Sequence, residues 1–366
     1  MKKILLTIAL IGTHLYSTAQ APDGYYDSAT GNSYTLKTQL YNIIKGHNAL
    51  SYGGLWTLYI NNPQAYNDHW YDTNDTNKIL DVYSENPNGP DPYTYVPGTN
   101  QCGNYSGEGS CYNREHIIPQ SVFNQASPMV TDAFHIWPTD GYVNGRRDSF
   151  PFGVVNNPTW TSRNGSKLGE NYNSGYSAGY SGRVFEPIDE FKGDFARAHF
   201  YFATRYQENN IQNWNYPMFN GTKDKVFTDT FLRILMTWHI NDPVSPREIA
   251  LNNAIYNSQN NRNPFIDNPE YAQRIWGSDL ASTDFEYQKR NEIDVFKKNS
   301  NTYTIIVKDN KSIIKEIHLF TIEGKKIKEI QNNTNKTSID ITINQKGVYI
   351  AKVLGNSFEI NKKLIF

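Results

Sequence analysis

Two short stretches of this sequence contain side chains suited to acid–base and metal chemistry. The first includes the adjacent residues Glu115 and His116, and the second, about one supersecondary unit later, includes Asn144 and Arg147. A neutral imidazole can take a proton from water near pH 7. A carboxylate with an amide oxygen suits Mg²⁺, and an arginine adds positive charge for a phosphate. This combination predicts metal-assisted hydrolysis of a phosphodiester.

A strand is predicted to carry Glu115 and His116. It follows a Pro-, Gly-, Asn- and Tyr-rich segment at 84–111 that predicts a loop. Because neighbouring side chains on a strand point to opposite faces, both residues can serve one site in only two ways. Either the strand bends or a cation lies at its edge, and the spacing leaves both open.

Helical spacing of apolar residues predicts several helices around this strand. The patterns are Leu36, Leu40, Ile43 and Ile44, then 192–207 and 227–239, and a capping box at Ser245-Pro246-Arg247-Glu248 whose helix is expected to run to about residue 259. His199 and His239 fall on these apolar helices and are predicted to be structural. Residues 151–190 lack clear periodicity and predict a long loop that could form a substrate wall.

The order of several sequence blocks over about residues 25–280 resembles the endonuclease I family of secreted and periplasmic nucleases. The blocks are Glu115-His116-Ile117-Ile118-Pro119, Phe134-His135, Val143-Asn144-Gly145-Arg146-Arg147, Phe185-Glu186-Pro187, Lys192-Gly193-Asp194-Phe195-Ala196-Arg197-Ala198, Trp238-His239 with Asp242-Pro243, and Asn261-Arg262-Asn263-Pro264-Phe265-Ile266-Asp267. The resemblance implies an α+β fold with a ββα-metal (His-Me finger) core in a largely helical domain. It also implies nonspecific cleavage of DNA, and often of RNA, to products with 5′-phosphates.

By residue, the resemblance implies that His116 is the general base and that Glu115 and Asn144 bind Mg²⁺, with Mn²⁺ or Ca²⁺ as substitutes. Asp140 and Asp148 are the alternative ligands. Among the arginines, Arg147 is predicted to be catalytic through contact with phosphate.

Arg114, Arg146 and His135 are predicted to be substrate-binding residues, and for His135 a role in orienting the site and a core position bonded to the backbone are equally supported. Some relatives carry a phosphate-binding arginine between the two motifs, and this chain has no Arg or Lys between His116 and His135. Which arginine stabilises the transition state therefore stays open.

The ends of the chain predict export through the periplasm to the medium or the cell surface. A basic start, a short apolar run and small residues before Ala19 are typical of a signal peptide at 1–19, and no later segment is long enough to span a membrane. In an exported protein, Cys102 and Cys111 are expected to form a disulfide, with two free thiols as the alternative.

The composition changes near residue 297 to short β-rich runs separated by polar turns, which predicts a small all-β sandwich at 297–366 after a catalytic domain at 20–296. The runs are 303–307, 316–321, 338–343 and 347–353. The last run and the final residues 362–366 resemble the type A sorting domain of the type IX secretion system. That resemblance implies the outer-membrane secretion machinery as a partner.

The balance of charged residues also changes at residue 297. Residues 20–296 contain 20 Lys and Arg and 30 Asp and Glu, whereas residues 297–366 contain 13 and 6. Because nucleic-acid binding needs a positive field, an acidic catalytic domain requires a local basic patch. The candidates are Arg114, Arg146, Arg147, Arg197 and Arg262, of which the last two are more readily explained by ion pairs within the scaffold.

The sequence bears differently on two rival functions. A zinc metalloprotease is disfavoured because the sequence contains no His-Glu-x-x-His motif. A non-enzymatic surface or glycan-binding module stays open, since abundant aromatic residues and an export tail also fit it.

Overall fold

The computed structural model describes residues 21–72, 76–280, 293–299, 301–307, 313–321, 325–333, 336–356 and 359–366, and the predicted signal peptide lies outside them. The chain divides into two compact units, Met1–Ser282 and Thr283–Phe366. The first unit mixes helices with sheets and the second is all-β, which confirms the α+β prediction. No helix among the described residues has the length and apolar character needed to cross a membrane.

The helices of the first unit include all four that the sequence predicts. Their bounds are α1 Ser33–Ile44, α2 Tyr52–Asn61, α3 Pro63–Tyr66, α4 Gly141–Arg147, α5 Lys192–Arg205, α6 Asp229–Asn241, α7 Pro246–Gln259, α8 Pro264–Asp267 and α9 Glu270–Leu280. The capping box is formed at α7, where the Ser245 hydroxyl accepts from the Glu248 N–H and the Glu248 carboxylate accepts from the Ser245 N–H.

Two small antiparallel sheets accompany these helices. The first pairs β1 Tyr112–His116 with β2 Ile136–Asp140. The second contains β3 Val155–Thr161, β4 Lys167–Asn171 and β5 Arg183–Glu186 in that order. The prediction of a long loop at 151–190 is therefore wrong. Register shifts interrupt the β3–β4 pairing on both sides of Pro158, which hides the period-two pattern from the sequence.

Helix α5 lies at the centre of the first unit and is buried along almost its whole length. Its Phe195 ring packs against Trp137 of β2 at 5.0 Å between centroids, and Tyr201 donates to the buried Asp132 carboxylate at 2.8 Å. Asp132 begins the turn that leads into β2, because its carbonyl accepts from the His135 N–H at 3.2 Å. The helix thus fixes the strand that faces β1.

Two buried arginines hold the helical scaffold together through ion pairs, the alternative that the sequence favoured for them. Arg197 pairs with both oxygens of Glu248, at 2.5 and 2.7 Å, and Arg262 pairs with both oxygens of Asp267 at 2.7 Å. The two side chains are 0% and 2% exposed, so neither is placed to contact a substrate. The scaffold interpretation of Arg197 and Arg262 is therefore the one that fits the structure.

His199 and His239 are also core residues. Nδ1 of His199 lies 2.7 Å from the Phe195 carbonyl oxygen, and Nε2 of His239 lies 2.9 Å from that of Pro269. Burial lowers the pKa of His199 to about 3 and that of His239 to about 4. Both side chains are therefore neutral at pH 7.

The second unit is a sandwich of two antiparallel sheets. Its strands are β6 Ile293–Asn299, β7 Thr302–Val307, β8 Ile314–Thr321, β9 Lys326–Gln331, β10 Ser338–Thr342, β11 Val348–Gly355 and β12 Glu359–Ile365. They form sheets in the orders β10–β7–β6 and β12–β11–β8–β9. One apolar core takes residues from both sheets, including Ile305 and Ile341 from the first and Leu319 and Val353 from the second. Strand β6 extends on both sides of the predicted domain boundary at residues 296 and 297.

Candidate active site

Strands β1 and β2 and helix α4 follow one another as a ββα unit. In the strand pair, Glu115 lies opposite Trp137 and His116 opposite Ile136. Asp140 ends β2 and caps α4, because its Oδ1 accepts from the Val143 N–H at 2.7 Å. This immediate strand-to-helix turn brings the second sequence stretch against the first.

The two stretches meet at a cleft with a volume of about 560 Å³. Its lining includes Arg114, Glu115, His116, Asn144, Arg147 and Asp148. Glu115 and His116 face one cleft although they are neighbours on a strand, because the cleft lies at the end of β1, where His116 is the last strand residue. The alternation of strand side chains therefore does not separate them.

Glu115 is an almost completely buried carboxylate, 1% exposed. Its Oε1 accepts from the Tyr83 hydroxyl at 3.0 Å and lies 3.1 Å from Nη1 of Arg147. Burial raises the pKa of Glu115 to about 7, although Arg147 and Tyr83 act to lower it. Since both contacts involve Oε1, Oε2 is the oxygen best able to bind a cation.

The sequence predicted that Arg147 contacts a phosphate, but in the structure its guanidinium contacts other groups of the protein. It is 1% exposed, and besides Glu115 it donates to the carbonyl oxygens of His116 at 2.8 Å and Ile117 at 2.6 Å. Its guanidinium also lies 4.4 Å from the centre of the Phe152 ring. With its charge directed at Glu115 and the end of β1, Arg147 is placed to position the site rather than to bind substrate.

Asn144 lies on α4 with its amide held in one orientation. Its Nδ2 donates to Oδ1 of Asn113 at 2.7 Å. Asn113 and Glu115 are two residues apart on β1 and therefore share a face of the strand. The contact leaves Oδ1 of Asn144 as an acceptor in the cleft that Glu115 also lines.

His116 is 6% exposed and packs against Tyr52, with ring centroids 6.3 Å apart. Burial, with a contribution from His135, lowers the pKa of His116 to about 3, so the ring is neutral at pH 7. Nε2 lies 3.3 Å from the Val130 carbonyl oxygen, and the tautomer with hydrogen on Nε2 donates to it. That tautomer leaves Nδ1 unprotonated and able to accept a proton.

The prediction that His135 contacts substrate is wrong. The side chain is 0% exposed, its Nε2 lies 2.8 Å from the Met129 carbonyl oxygen, and its ring packs on Phe202 at 4.8 Å. Burial lowers the pKa of His135 to about 4. Its ring centroid is 6.1 Å from that of His116, so it supports the candidate base from the interior.

The other two predicted substrate contacts lie on accessible surface. Arg114 lines the cleft, with its guanidinium 3.4 Å from the Tyr52 ring centre and 4.4 Å from that of Trp56. Arg146 is exposed on α4 and lies over Tyr142. Because Arg147, Arg197 and Arg262 are buried, the expected patch of five arginines is not formed.

The two alternative metal ligands, Asp140 and Asp148, differ in their hydrogen bonds and in their exposure. Asp140 has both oxygens engaged, since Oδ1 caps α4 and Oδ2 accepts from the Tyr95 hydroxyl at 2.5 Å and the Gly109 N–H at 2.8 Å. Asp148 is exposed and lines the cleft. Asp148 therefore remains available as a ligand, and Asp140 does not.

Comparisons with known proteins show which family the chain belongs to. Residues 32–270 match the family model described as Endonuclease I, and residues 282–366 match the Secretion system C-terminal sorting domain. The chain belongs to the endonuclease I family. It is therefore a nuclease, and its sorting domain makes it a secreted or cell-surface protein.

Two curated relatives share the nuclease portion of the chain. An extracellular ribonuclease of Bacillus amyloliquefaciens is 33% identical over 261 residues, which are 69% of this chain and 78% of that protein. An extracellular ribonuclease of Bacillus subtilis (strain 168) is 32% identical over 268 residues, again 69% of this chain and 78% of the relative.

The disulfide expected in this endonuclease I family member is present between Cys102 and Cys111, with Cα atoms 5.8 Å apart. The loop that it closes carries Tyr105, whose ring lies against α4. A Cβ at Gly145 would be 2.0 Å from the Tyr105 hydroxyl oxygen, so glycine is needed there for the loop to approach. The crosslinked loop thus supports the helix that presents Asn144.

Sequence reasoning missed three side chains of the nuclease site. Asn113 could have been found, because it shares a strand face with Glu115 and is an amide beside a predicted ligand. Tyr52 and Tyr83 gave no such signal, since they are distant in sequence and belong to a chain with 26 tyrosines.

Proposed function

We propose that this protein is a divalent-metal-dependent endonuclease that hydrolyses phosphodiester bonds of DNA and RNA with little sequence preference and leaves 5′-phosphates. The observation that carries the proposal is the convergence of Glu115, His116 and Asn144 on one cleft of a ββα unit. These are a neutral base and two hard oxygen donors, the set required for this hydrolysis.

The donor set fits a magnesium ion. Glu115 Oε2 and Asn144 Oδ1 are hard oxygens lining the same cleft, and Mg²⁺ is held by few protein oxygens with several waters. Outer contacts hold both donors, Tyr83 and Arg147 at Glu115 and Asn113 at Asn144. When bound, the ion supplies positive charge to the phosphate and the departing oxygen.

His116 would act as the general base. Donation from Nε2 to the Val130 carbonyl fixes the tautomer, so Nδ1 is the atom that takes a proton from water. The low pKa of the buried ring keeps it neutral without a carboxylate partner. The hydroxide formed would attack phosphorus in line with the leaving 3′-oxygen.

Substrate binding would rely on local charge, since the catalytic domain is acidic overall. Arg114 lines the cleft with its guanidinium over the Tyr52 ring, and unlike Arg147 it is only partly buried, an arrangement suited to a phosphate backbone with adjacent bases. The two relatives are described as ribonucleases, which supports RNA as a substrate beside DNA. The sorting domain would engage the type IX secretion machinery.

Incubating the purified protein with plasmid DNA and with RNA, each with Mg²⁺ or with EDTA, tests the proposal. We expect both polymers to be cut in Mg²⁺, no cutting in EDTA, and recovery when Mg²⁺ is restored. End-labelling should find 5′-phosphates. Cleavage that persists in EDTA would contradict the metal requirement. Binding to polysaccharide without cleavage of either nucleic acid would favour a glycan-binding module instead.

A further inference from the structure

Three carboxylates converge outside the cleft, in the segment between α3 and β1. Asp68, Glu85 and Asp91 each present an oxygen, and these oxygens all lie within 4.8 Å of one another. Asp68 follows α3, whereas Glu85 and Asp91 belong to the long irregular segment that leads to β1. Nothing in the proposed hydrolysis uses this group.

Two of the three carboxylates, those of Glu85 and Asp68, are buried, whereas Asp91 is half-buried and its Oδ1 accepts from the Asn86 N–H at 2.7 Å. Glu85 is 0% exposed and Asp68 is 1% exposed. Among the described residues, none donates a hydrogen bond to either carboxylate oxygen of Glu85 or to Oδ2 of Asp68. In the part of the chain that the structure describes, no Lys, Arg or His forms an ion pair with Glu85 or Asp68. Buried polar groups are normally satisfied, so these oxygens require an explanation.

The Glu85 carboxylate lies beside those of Asp68 and Asp91. Glu85 and Asp68 are both buried, and the fold nevertheless holds their carboxylates close to each other. A bound cation resolves the repulsion and satisfies the unpaired oxygens at once.

We propose that Asp68, Glu85 and Asp91 bind a Ca²⁺ ion. Oxygens that ligate one Ca²⁺ at about 2.3–2.6 Å lie within about 5 Å of one another, which the observed separations satisfy. The donors are carboxylates on irregular segments, with no thiolate or imidazole among them, which favours Ca²⁺ over the transition metals. Ca²⁺ also tolerates the variable geometry of such segments better than Mg²⁺.

The site would anchor the segment that supports the nuclease centre. The Glu85 N–H donates to the Asp81 carbonyl at 2.8 Å, and Asp81 in turn accepts from the Asp140 N–H at the start of α4. Tyr83, between them, donates to Glu115. An ion on Glu85 therefore stabilises the position of residues 81–85 and, through them, both halves of the ββα unit.

Calorimetric titration of Ca²⁺ into the EDTA-stripped full-length protein, together with thermal unfolding in Ca²⁺ or EDTA, tests the inference. We expect stoichiometric Ca²⁺ binding and an unfolding midpoint several degrees higher in Ca²⁺. Glu85→Gln and Asp68→Asn should weaken the binding at least tenfold and abolish the rise. The exposed carboxylate variant Glu170→Gln is the matched control and should retain both.

The cleft variant Glu115→Gln separates this site from the nuclease centre, since it should keep the Ca²⁺ binding and the rise in midpoint. None of these readouts depends on nuclease activity, so the two proposals fail independently. If Glu85→Gln does not fold, Asp91→Asn replaces it, because Asp91 is only half-buried. The proposal would be overturned if Ca²⁺ left the unfolding midpoint of the parent protein unchanged. It would also be overturned if Glu85→Gln kept the full Ca²⁺-dependent rise in midpoint.

Discussion

Replacing Tyr83 by Phe tests how the interior of the protein prepares Glu115 for a metal ion. The change removes one hydroxyl, which donates to Glu115 Oε1 at 3.0 Å, and keeps the buried ring. A hydrogen bond to a charged group contributes about 1.5–3 kcal/mol, and outer contacts of a metal ligand change affinity about 10–100-fold. We therefore expect the Mg²⁺ concentration for half-maximal activity to rise about 10–100-fold, because Arg147 alone then holds the carboxylate.

The assay is cleavage of a fluorescent oligonucleotide over a range of Mg²⁺, with rates extrapolated to saturation. The saturated rate should stay within a few-fold of the parent, because Tyr83 does not touch the reacting atoms. Tyr66→Phe is the matched control, since Tyr66 is also buried but its hydroxyl has no hydrogen-bond partner among the residues that the structure describes. An unchanged Mg²⁺ requirement in Tyr83→Phe would refute the view that this hydroxyl orients the ligand.

Four further outcomes follow from the same contacts. Arg147→Lys should also raise the Mg²⁺ concentration needed for half-maximal activity. A lower saturated rate with an unchanged Mg²⁺ requirement would instead support contact between Arg147 and the phosphate. Replacing both Cys102 and Cys111 by Ser should cost about 2–3 kcal/mol in urea unfolding, and a smaller loss than about 1 kcal/mol would contradict this. The pKa of His239 is about 4 in the folded state and about 6.5 in the unfolded state. Between these pH values the unfolded state binds more protons, so the free energy of unfolding falls as the pH drops from 6.5 to 4. His239→Gln should therefore lose less stability than the parent between pH 7 and pH 5, and parallel losses would contradict it. A protein ending at Ser282 should cut nucleic acid at a near-parental rate, and inactivity or insolubility would show that the sorting domain supports the catalytic unit.

The sequence was sufficient for the features that local chemistry specifies. Apolar spacing predicted α1, and the Ser245–Glu248 capping box predicted the start of α7. The short β-rich runs predicted the second unit as a sandwich, because polar turns separate them at close intervals. Glu115, His116 and Asn144 were predicted to act together, and the structure brings them to one cleft.

Features that depend on long-range packing could not be predicted. Strand β3 owes its conformation to pairing with β4 across a Pro-containing stretch, so its own residues predict a loop. Arg147 and His135 have the residue types of a nuclease site, yet tertiary packing buries both. The pairing of Tyr83 with Glu115 joins residues 32 positions apart. Such contacts are set by the tertiary fold, which no local pattern records.

The central claim is that His116 removes the proton from the attacking water. The most direct measurement is the single-turnover cleavage rate of His116→Ala at saturating Mg²⁺, beside the parent. Loss of a positioned general base should lower the rate about 10²–10⁴-fold. Mg²⁺ binding should change little, because Glu115 and Asn144 supply the oxygens. A variant that cuts within a few-fold of the parent would contradict the assignment of His116 as the base.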